Sequence, residues 1–321
     1  MYESVVGTDL FSKAWEYSRT RHGNVLTAHV PGMFVVDGRR GRYRAVSITG
    51  SECALDCEHC KGGLLRTMAP VQSPELLFEA GLESYRRGDY GILISGGCDS
   101  HGQLPWKDFI PAIERLKVET GLIVTVHPGQ INVSTARDLK AAGVDQALVD
   151  VIGDDDTAEK VYHLKDGVGT IRRTLDALTE ADLEMVPHIL FGMHYGRQRG
   201  ERTAIEILKQ YPLKKYVVVV LTPTRGTPME NVVPPAPACV AEFLILARLE
   251  LPDIQASLGC ARPRGRYRRE LDVLAVRAGV NSIALPADQA LAEAEQRGLA
   301  VLHRETCCSL GDRAGRARSG K

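Results

Sequence analysis

The chain has 321 residues and a mass of 35.1 kDa, which allows one large domain or two modest ones. This length excludes a very small domain that needs disulfides or bound metal to fold. Apolar residues make up 44% and charged residues 25%, so the composition is that of an ordinary globular protein with a sizeable core. Forty Lys and Arg balance forty Asp and Glu, and this zero formal charge argues against a protein whose main task is to coat nucleic acid or an anionic membrane.

The sequence also lacks the features of a membrane or exported protein. It contains no run of about 20 apolar residues, which a membrane span requires. The first twenty residues carry Glu3 and Asp9 and lack the apolar block of a signal peptide. We therefore expect a cytoplasmic protein whose partners include neither a membrane nor a nucleic acid.

From about residue 43 onward, short β-branched runs alternate with amphipathic stretches, which predicts alternating strands and helices. Eight strands are predicted, over residues 43–49, 91–95, 122–127, 146–152, 185–191, 216–221, 254–258 and 281–285. Eight helices are predicted between and after them, over residues 74–87, 106–120, 134–142, 169–181, 201–210, 239–249, 269–278 and 287–297. Glycines that favour a left-handed C-terminal cap follow several of these helices, namely Gly88, Gly121, Gly143, Gly279 and Gly298. Ser73 or Ser134 is predicted to cap a helix at its N-terminus.

The predicted elements indicate an α/β fold. Continuously apolar strands, such as residues 216–221, imply burial on both faces, which suits a parallel sheet covered by helices. Eight strand–helix alternations predict a (β/α)8 or partly open TIM-like barrel, and a doubly wound open sheet is the main alternative. The predicted domains are a short N-terminal extension over residues 1–42, the barrel with a C-terminal cysteine-containing segment over residues 43–308, and a flexible tail over residues 309–321.

The eight cysteines are unevenly distributed along the sequence. In a cytosolic chain of this length, clustered cysteines more often hold metal or carry out chemistry than form disulfides. Cys53, Cys57 and Cys60 fall in one short loop directly after the first predicted strand. Three thiolates in such a loop can hold one face of an iron–sulfur cubane and leave its fourth iron without a protein ligand. The alternative is a structural zinc site with His59 as fourth ligand, although the second paired turn usual in zinc knuckles is missing.

The spacing C-x3-C-x2-C at the end of the first barrel strand resembles that of the radical S-adenosylmethionine (radical SAM) superfamily. The resemblance implies a [4Fe–4S] cluster held by Cys53, Cys57 and Cys60, with S-adenosylmethionine (SAM) bound at its open iron. It also implies that one-electron reduction cleaves SAM and that the resulting 5′-deoxyadenosyl radical takes hydrogen from the substrate, while the protein positions the cofactor. Gly96 and Gly97 end the second strand, where the superfamily has a glycine-rich segment whose backbone binds the SAM amino group.

Further residues at strand ends extend the SAM site that the resemblance implies. Its predicted members are His59, Gly96, Gly97, Asp99, His127 and Asp150. Cys98 stands where the superfamily usually has an acidic residue, and it could also be a small buried residue. His188 and Thr222 end two further strands, and each is a candidate for the site or for a hydrogen-bonded core position. All of these positions lie at the carboxyl ends of strands, where barrel active sites form.

Within the superfamily, three stretches are similar to the biotin synthase, lipoyl synthase and methylornithine synthase group, namely residues 150–164, 187–196 and 221–229. The stretches nearer the C-terminus look most similar to a subunit of the two-protein (archaeal-type) lipoyl synthases, namely residues 259–272, 279–286 and 305–310. The resemblance implies sulfur insertion at C6 or C8 of an octanoyl chain on a lipoyl domain or H-protein. It also implies a second radical SAM subunit as partner and an electron donor such as ferredoxin. The alternatives are a methylornithine-synthase-like mutase or lyase acting on an amino acid, and a non-catalytic zinc-binding module.

Sulfur insertion needs a sulfur source near the substrate carbon. Single-chain lipoyl synthase sacrifices a sulfide of an auxiliary [4Fe–4S] cluster, and candidate ligands for a second cluster here are Cys260, Cys307 and Cys308. Cys260 follows the seventh predicted strand and the other two lie beyond the eighth, so the three could converge. Adjacent cysteines do not easily bind one cluster together, so two of the three could be inert. Residues 1–52 contain no cysteine, and this departure from the single-chain enzymes favours the two-protein type.

Two further features complete the sequence-based expectations. The arginines between residues 262 and 269 could meet the acidic surface of a carrier protein or stabilise sulfide charge, and this function is favoured for Arg262 and Arg264 over a solvated loop. Cys239 lies in an apolar helical run and is expected to be buried filler.

Overall fold

The computed structural model describes residues 8–36 and 38–311. The strands in this part of the chain are β1 (Val25–His29), β2 (Val35–Val36), β3 (Arg39–Arg40), β4 (Tyr43–Ser47), β5 (Ala69–Pro70), β6 (Gly91–Ser95), β7 (Ile123–Val126), β8 (Gln146–Val151), β9 (Met185–Phe191), β10 (Lys215–Val220), β11 (Gln255–Leu258), β12 (Ser282–Ala284) and β13 (Ala300–Arg304). The α-helices are α1 (Thr8–His22), α2 (Pro74–Arg86), α3 (Trp106–Thr120), α4 (Val133–Ala141), α5 (Asp155–Tyr162), α6 (Gly167–Glu180), α7 (Glu201–Leu208), α8 (Pro237–Glu250), α9 (Arg266–Arg277) and α10 (Asp288–Gln296).

One curled parallel sheet organises the fold, with the strand order β13-β1-β12-β11-β10-β9-β8-β7-β6-β4-β5. The eight predicted strands correspond to β4 and to β6 through β12, and their ends differ from the prediction by no more than two residues. From β6 to β12 each strand pairs with the next one along the chain, and this order never reverses as it would in a doubly wound sheet. The sheet is open between β5 and β13, so the prediction of a partly open α/β barrel is confirmed.

Two strands that the sequence analysis did not predict extend the sheet beyond β12. Strand β1 lies between β12 and β13 and runs parallel to both. Its sequence is short and includes polar residues that are buried in the sheet, so it carries no clear apolar alternation. Residues 25–29 therefore contribute to the same sheet as the predicted barrel strands, while the predicted domain division at residue 42 stays a prediction.

Local signals set most helix ends. Ser73 caps α2, since its hydroxyl accepts a hydrogen bond from the Leu76 N–H at 3.3 Å. The cap of α4 is Asn132 rather than Ser134, because the Asn132 side chain accepts from the Thr135 N–H at 2.9 Å. The five predicted capping glycines all have positive φ angles, as a left-handed C-terminal cap requires.

Two apolar regions lie on the two faces of the sheet. The larger one packs the outward strand faces against the helices. The smaller one fills the barrel interior and includes Leu93, Leu148, Val186 and Val217. Cys308 and Leu310 also belong to this interior cluster, so the chain turns back into the barrel after β13. Residues 312–321 of the predicted tail lie outside the described residues.

The described helices include none that combines the length and the apolar character needed to cross a membrane.

Candidate functional site

The loop after β4 carries Cys53, Cys57 and Cys60 at the carboxyl ends of the strands. The Cys57 carbonyl accepts hydrogen bonds from the Cys60 N–H at 3.1 Å and the Lys61 N–H at 2.9 Å, which closes a tight turn. Cys57 is buried, whereas Cys53 and Cys60 are half-buried. Ligand atoms of Cys57, His59 and Cys60 lie within 4.8 Å of one another, and the Cys53 sulfur lies outside this group. The loop thus presents three thiols on a short, folded segment.

Helix α5, which the sequence analysis did not predict, supports this loop. The Glu58 N–H donates to the Val161 carbonyl at 2.9 Å, and the Cys57 sulfur lies 3.8 Å from the Tyr162 carbonyl oxygen. The His59 and Tyr162 rings pack with their centroids 5.0 Å apart. The signal for α5 was present in the sequence, because Asp154 caps the helix and acidic residues follow in its first turn.

The glycine segment after β6 packs directly on the cysteine loop. A Cβ atom on Gly97 would lie 1.9 Å from the Glu52 carbonyl oxygen and 2.5 Å from the Cys53 Cβ, so this position accepts only glycine. The Cys98 carbonyl accepts a hydrogen bond from the Ala54 N–H at 2.7 Å, and the Thr49 hydroxyl accepts one from the Gly97 N–H at 2.6 Å. The two predicted segments of the site are therefore in contact.

The other predicted SAM residues have different environments. Asp150 on β8 and His188 on β9 are register partners, and the His127 and His188 ring centroids are 5.6 Å apart. Asp150 is exposed, which leaves its carboxylate open to a ligand. Burial, followed by the charge of His127, lowers the pKa of His188 to about 4, so this imidazole is neutral at pH 7. The Asp99 carboxylate accepts from the N–H groups of two residues in its own loop, at 2.8 and 2.9 Å.

The two remaining candidate positions are Cys98 and Thr222. Cys98 is half-buried, and burial is the largest of the causes that raise the pKa of its thiol to about 12, so it is a neutral side chain at pH 7. Thr222 is exposed, and its hydroxyl donates to the Val220 carbonyl at 3.2 Å. SAM contacts of Asp99, His127 and Asp150 stay predictions.

The residues around the loop fit an iron–sulfur cluster. Three thiols form the donor set that such clusters use. A hydrogen bond from the Cys57 thiol holds the pKa of Cys60 well below its usual range, at about 4, so this pair supplies a thiolate near neutral pH. His59 Nδ1 and the Tyr162 hydroxyl are buried beside the loop, and neither has a hydrogen-bond partner among the described residues. The site is thus poised to accept a further group with acceptor or donor atoms.

The second set of cysteines lies around the barrel interior. Cys260 follows β11, and Cys307 and Cys308 follow β13; all three border the interior apolar cluster. The Ser309 hydroxyl donates to the Cys307 sulfur at 3.3 Å. A hydrogen bond from the Cys308 thiol is the largest influence that lowers the pKa of Cys307, to about 6. The structure therefore brings these three cysteines to one region, and their role as cluster ligands stays a prediction.

The interpretation of Arg262 as a surface contact is wrong. Its guanidinium is 1% exposed and forms two hydrogen bonds of 2.8 Å with the Asp272 carboxylate. It also donates to the carbonyls of Gly259 and Leu285, so it joins the chain segments that follow β11 and β12. Burial with a matched carboxylate gives Arg262 a structural role beside Cys260, whereas Arg264 is exposed.

The interpretation of Cys239 as buried filler is also wrong, because this residue is exposed near the start of α8. The helix is apolar over most of its length and buries residues such as Val240 and Ala241, but Cys239 lies in the first turn with its side chain toward solvent. The apolar composition of residues 239–249 therefore does not predict the exposure of Cys239.

A group of three potential ligands lies apart from the cysteines. Ligand atoms of Asp154, Asp156 and His194 lie within 4.8 Å of one another. Arg199 pairs with both carboxylates, at 3.0 and 2.8 Å, and Lys160 pairs with Asp156 at 2.8 Å. These cations already balance the two carboxylates, and we assign no metal ion to this group.

Sequence comparison finds relatives but no family model that matches the chain. Biotin synthase of Pelotomaculum thermopropionicum is 28% identical over 284 residues, which span 86% of this chain and 81% of the relative. A biotin synthase of Leptospira interrogans is 22% identical over 225 residues, which span 67% of this chain and 62% of the relative.

Two solved structures share the fold. Methylornithine synthase (PylB) aligns with a TM-score of 0.61 and 16% identity over 93% of this chain and 89% of that one. HydG, a maturase of the [FeFe]-hydrogenase, aligns with a TM-score of 0.65 and 13% identity over 91% of this chain and 68% of that one. Together with the three-cysteine loop and the partly open parallel barrel, these similarities identify the chain as a member of the radical SAM superfamily, with a [4Fe–4S] cluster and SAM as its cofactors.

Proposed function

We propose that this radical SAM protein inserts sulfur into an octanoyl chain carried by a lipoyl domain or H-protein. When bound, the cluster and SAM supply the 5′-deoxyadenosyl radical that takes hydrogen from an unactivated carbon. Cys53, Cys57 and Cys60 would hold the cluster, and Gly96 and Gly97 would bind SAM through their backbone. The proposed partners are a second radical SAM subunit and an electron donor such as ferredoxin.

The observation that carries sulfur insertion is the second group of cysteines inside the barrel. Cys308 belongs to the interior apolar cluster of the barrel, and Cys260 and Cys307 pack against the same cluster. A reaction that only rearranges or cleaves an amino acid has no need for thiols in this place. The relatives named biotin synthase support the same class of reaction, because biotin synthase also inserts sulfur.

The apolar interior of the barrel suits an aliphatic substrate. Leu93, Leu148, Val186 and Val217 pack together below the carboxyl strand ends, so a substrate carbon held against this layer would be shielded from water on that side. The neutral His188 imidazole lies above this layer and hydrogen-bonds the Val186 carbonyl at 3.1 Å. Its low pKa keeps a positive charge away from this apolar layer at neutral pH, so an uncharged acyl chain would meet no charged histidine at this position.

Removing the three ligands of the first cluster tests this proposal. The triple variant Cys53→Ala/Cys57→Ala/Cys60→Ala is expected to retain about four irons per chain after anaerobic reconstitution, since a cubane at the second cysteine group has four. Iron and sulfide are measured by colorimetric assay. The matched control adds Cys260→Ala, Cys307→Ala and Cys308→Ala, and it is expected to hold no iron. A triple variant without iron would contradict the auxiliary cluster.

The alternative function is that of a methylornithine-synthase-like mutase or lyase acting on an amino acid, whose fold PylB shares with this chain. Incubation with octanoylated lipoyl-domain peptide, SAM and dithionite distinguishes the two. With the second radical SAM protein present, we expect mass spectrometry to show a peptide that has gained sulfur. Cleavage of SAM without any change in the peptide would favour the alternative. A colourless, zinc-loaded protein after anaerobic purification would instead support the non-catalytic zinc module.

A further inference from the structure

The segment after β13, residues 305–311, enters the barrel instead of lying on its outside. We call this segment the C-terminal plug. Thr306, Cys308, Ser309 and Leu310 are each at most 3% exposed, and Leu310 joins the interior apolar cluster. The backbone enters the barrel through hydrogen bonds from the Val30 N–H to the Arg304 carbonyl at 2.8 Å and from the Arg42 N–H to the Glu305 carbonyl at 2.7 Å. The path of the plug therefore sets the positions of Cys307 and Cys308, which are part of it.

A buried lysine contacts the plug from the barrel wall. Lys215, the first residue of β10, is 5% exposed, and its ammonium group donates to the Cys308 carbonyl at 3.1 Å and to the Ser282 hydroxyl at 3.3 Å. The Ser282 hydroxyl in turn donates to the Ser257 hydroxyl at 2.9 Å, so the contact continues onto β11 and β12. An ammonium group is rarely buried, because it must find acceptors that replace water. One of the two acceptors here is the carbonyl oxygen of Cys308, a candidate ligand of the second cluster.

A second polar contact holds the start of the plug. His29 on β1 is fully buried, and its Nδ1 lies 3.2 Å from the Thr306 hydroxyl oxygen. The contact joins the plug to the strand that the sequence analysis did not predict. The plug is thus held at Thr306 and at Cys308, on either side of Cys307.

We propose that Lys215 is a positioning residue, which docks the plug in the barrel and so fixes the Cys307 and Cys308 thiols near Cys260. Holding the Cys308 carbonyl fixes the Cys308–Ser309 peptide, and together with the Thr306 contact it holds the backbone on both sides of the Cys307–Cys308 pair. Without the ammonium group, that carbonyl would be buried without this donor, and the plug would leave the barrel more often. The role of these thiols as ligands of a sulfide-donating cluster rests on the proposed function, whereas the docking does not.

Thiol labelling of the iron-free full-length chain tests the docking. We compare Lys215→Met with Lys214→Met, a matched control whose side chain is 74% exposed and pairs with Glu184. Lys215→Met is expected to raise the alkylation rate of Cys307 and Cys308 at least tenfold, which corresponds to ~1.4 kcal/mol. Peptide mass spectrometry gives the rates relative to the exposed Cys239, which serves as internal reference. Lys214→Met is expected to label like wild type.

A second, milder variant tests the docking even if Lys215→Met does not fold. Thr306→Val keeps the shape of the side chain and removes the hydroxyl that meets His29, and we expect severalfold faster labelling of Cys307. Retention of at least about four irons per chain after reconstitution, the content of one [4Fe–4S] cluster, shows that each variant has folded. If both Lys215→Met and Thr306→Val label Cys307 and Cys308 at the wild-type rate, the docking role of Lys215 is wrong.

Iron content separates this inference from the proposed function. In the Cys53→Ala/Cys57→Ala/Cys60→Ala background, Lys215→Met is expected to lose most of the remaining iron, whereas Lys214→Met keeps it. If that background holds no iron even with Lys215 present, the auxiliary cluster is contradicted, and the labelling rates still decide whether Lys215 docks the plug. If Lys215→Met keeps all of the iron, the lysine does not position the ligands.

Discussion

Replacing Cys57 by alanine is expected to reduce SAM cleavage to the level of a protein-free control. Cys57 is 6% exposed and is the most buried of the three loop thiols. Its sulfur faces Cys60 and the Tyr162 carbonyl, so the surrounding residues leave little room for water to replace the missing thiolate. The measurement is 5′-deoxyadenosine formation after anaerobic reconstitution with dithionite and SAM, followed by chromatography.

Cys239→Ala is the control for this substitution, because Cys239 is exposed and lies outside both cysteine groups. It should keep wild-type iron content and wild-type SAM cleavage. Continued 5′-deoxyadenosine formation by Cys57→Ala would show that the loop after β4 does not hold the cluster. Loss of cleavage in both variants would point instead to a general effect of removing a thiol.

The barrel strands were predictable because their local signals agree. Each is a short apolar run, and glycines with positive φ end several of the intervening helices. Strand β1 had no such pattern, since its place in the sheet depends on pairing with β12 and β13, more than 250 residues away along the chain. Local sequence does not encode a partner at that distance.

The same distinction applies to the candidate site. The spacing of Cys53, Cys57 and Cys60 was informative because one short loop contains all three. In contrast, the burial of Arg262 depends on Asp272, and the position of Cys308 depends on Lys215, which lies 93 residues earlier. An arginine-rich stretch and an adjacent cysteine pair look alike in sequence whether they face solvent or the barrel interior. Tertiary contacts determine both the burial of Arg262 and the position of Cys308.

Replacing Gly97 by alanine is expected to disrupt the cysteine loop although it adds a single methyl group. The new Cβ would lie 1.9 Å from the Glu52 carbonyl oxygen and 2.7 Å from the Cys53 Cα, which are backbone atoms that cannot rotate away. Overpacking of this kind costs about 1–3 kcal/mol where neighbours can adjust, so we expect at least that loss in the free energy of unfolding. Because the displaced atoms belong to Cys53 and its neighbour, bound iron and 5′-deoxyadenosine formation should both fall sharply.

Gly63→Ala provides the matched control, since it lies just beyond the same loop and an added Cβ there meets no described atom within 4 Å. We expect its free energy of unfolding, from urea titration, to stay within about 0.5 kcal/mol of wild type, with unchanged iron content. Gly96→Ala should fall between the two, because its nearest neighbour, at 3.0 Å, is the end of the Leu104 side chain. Equal stability and equal iron binding in the Gly97 and Gly63 variants would mean that the glycine segment does not pack on the cysteine loop, and the geometry assigned to the whole site would then be wrong.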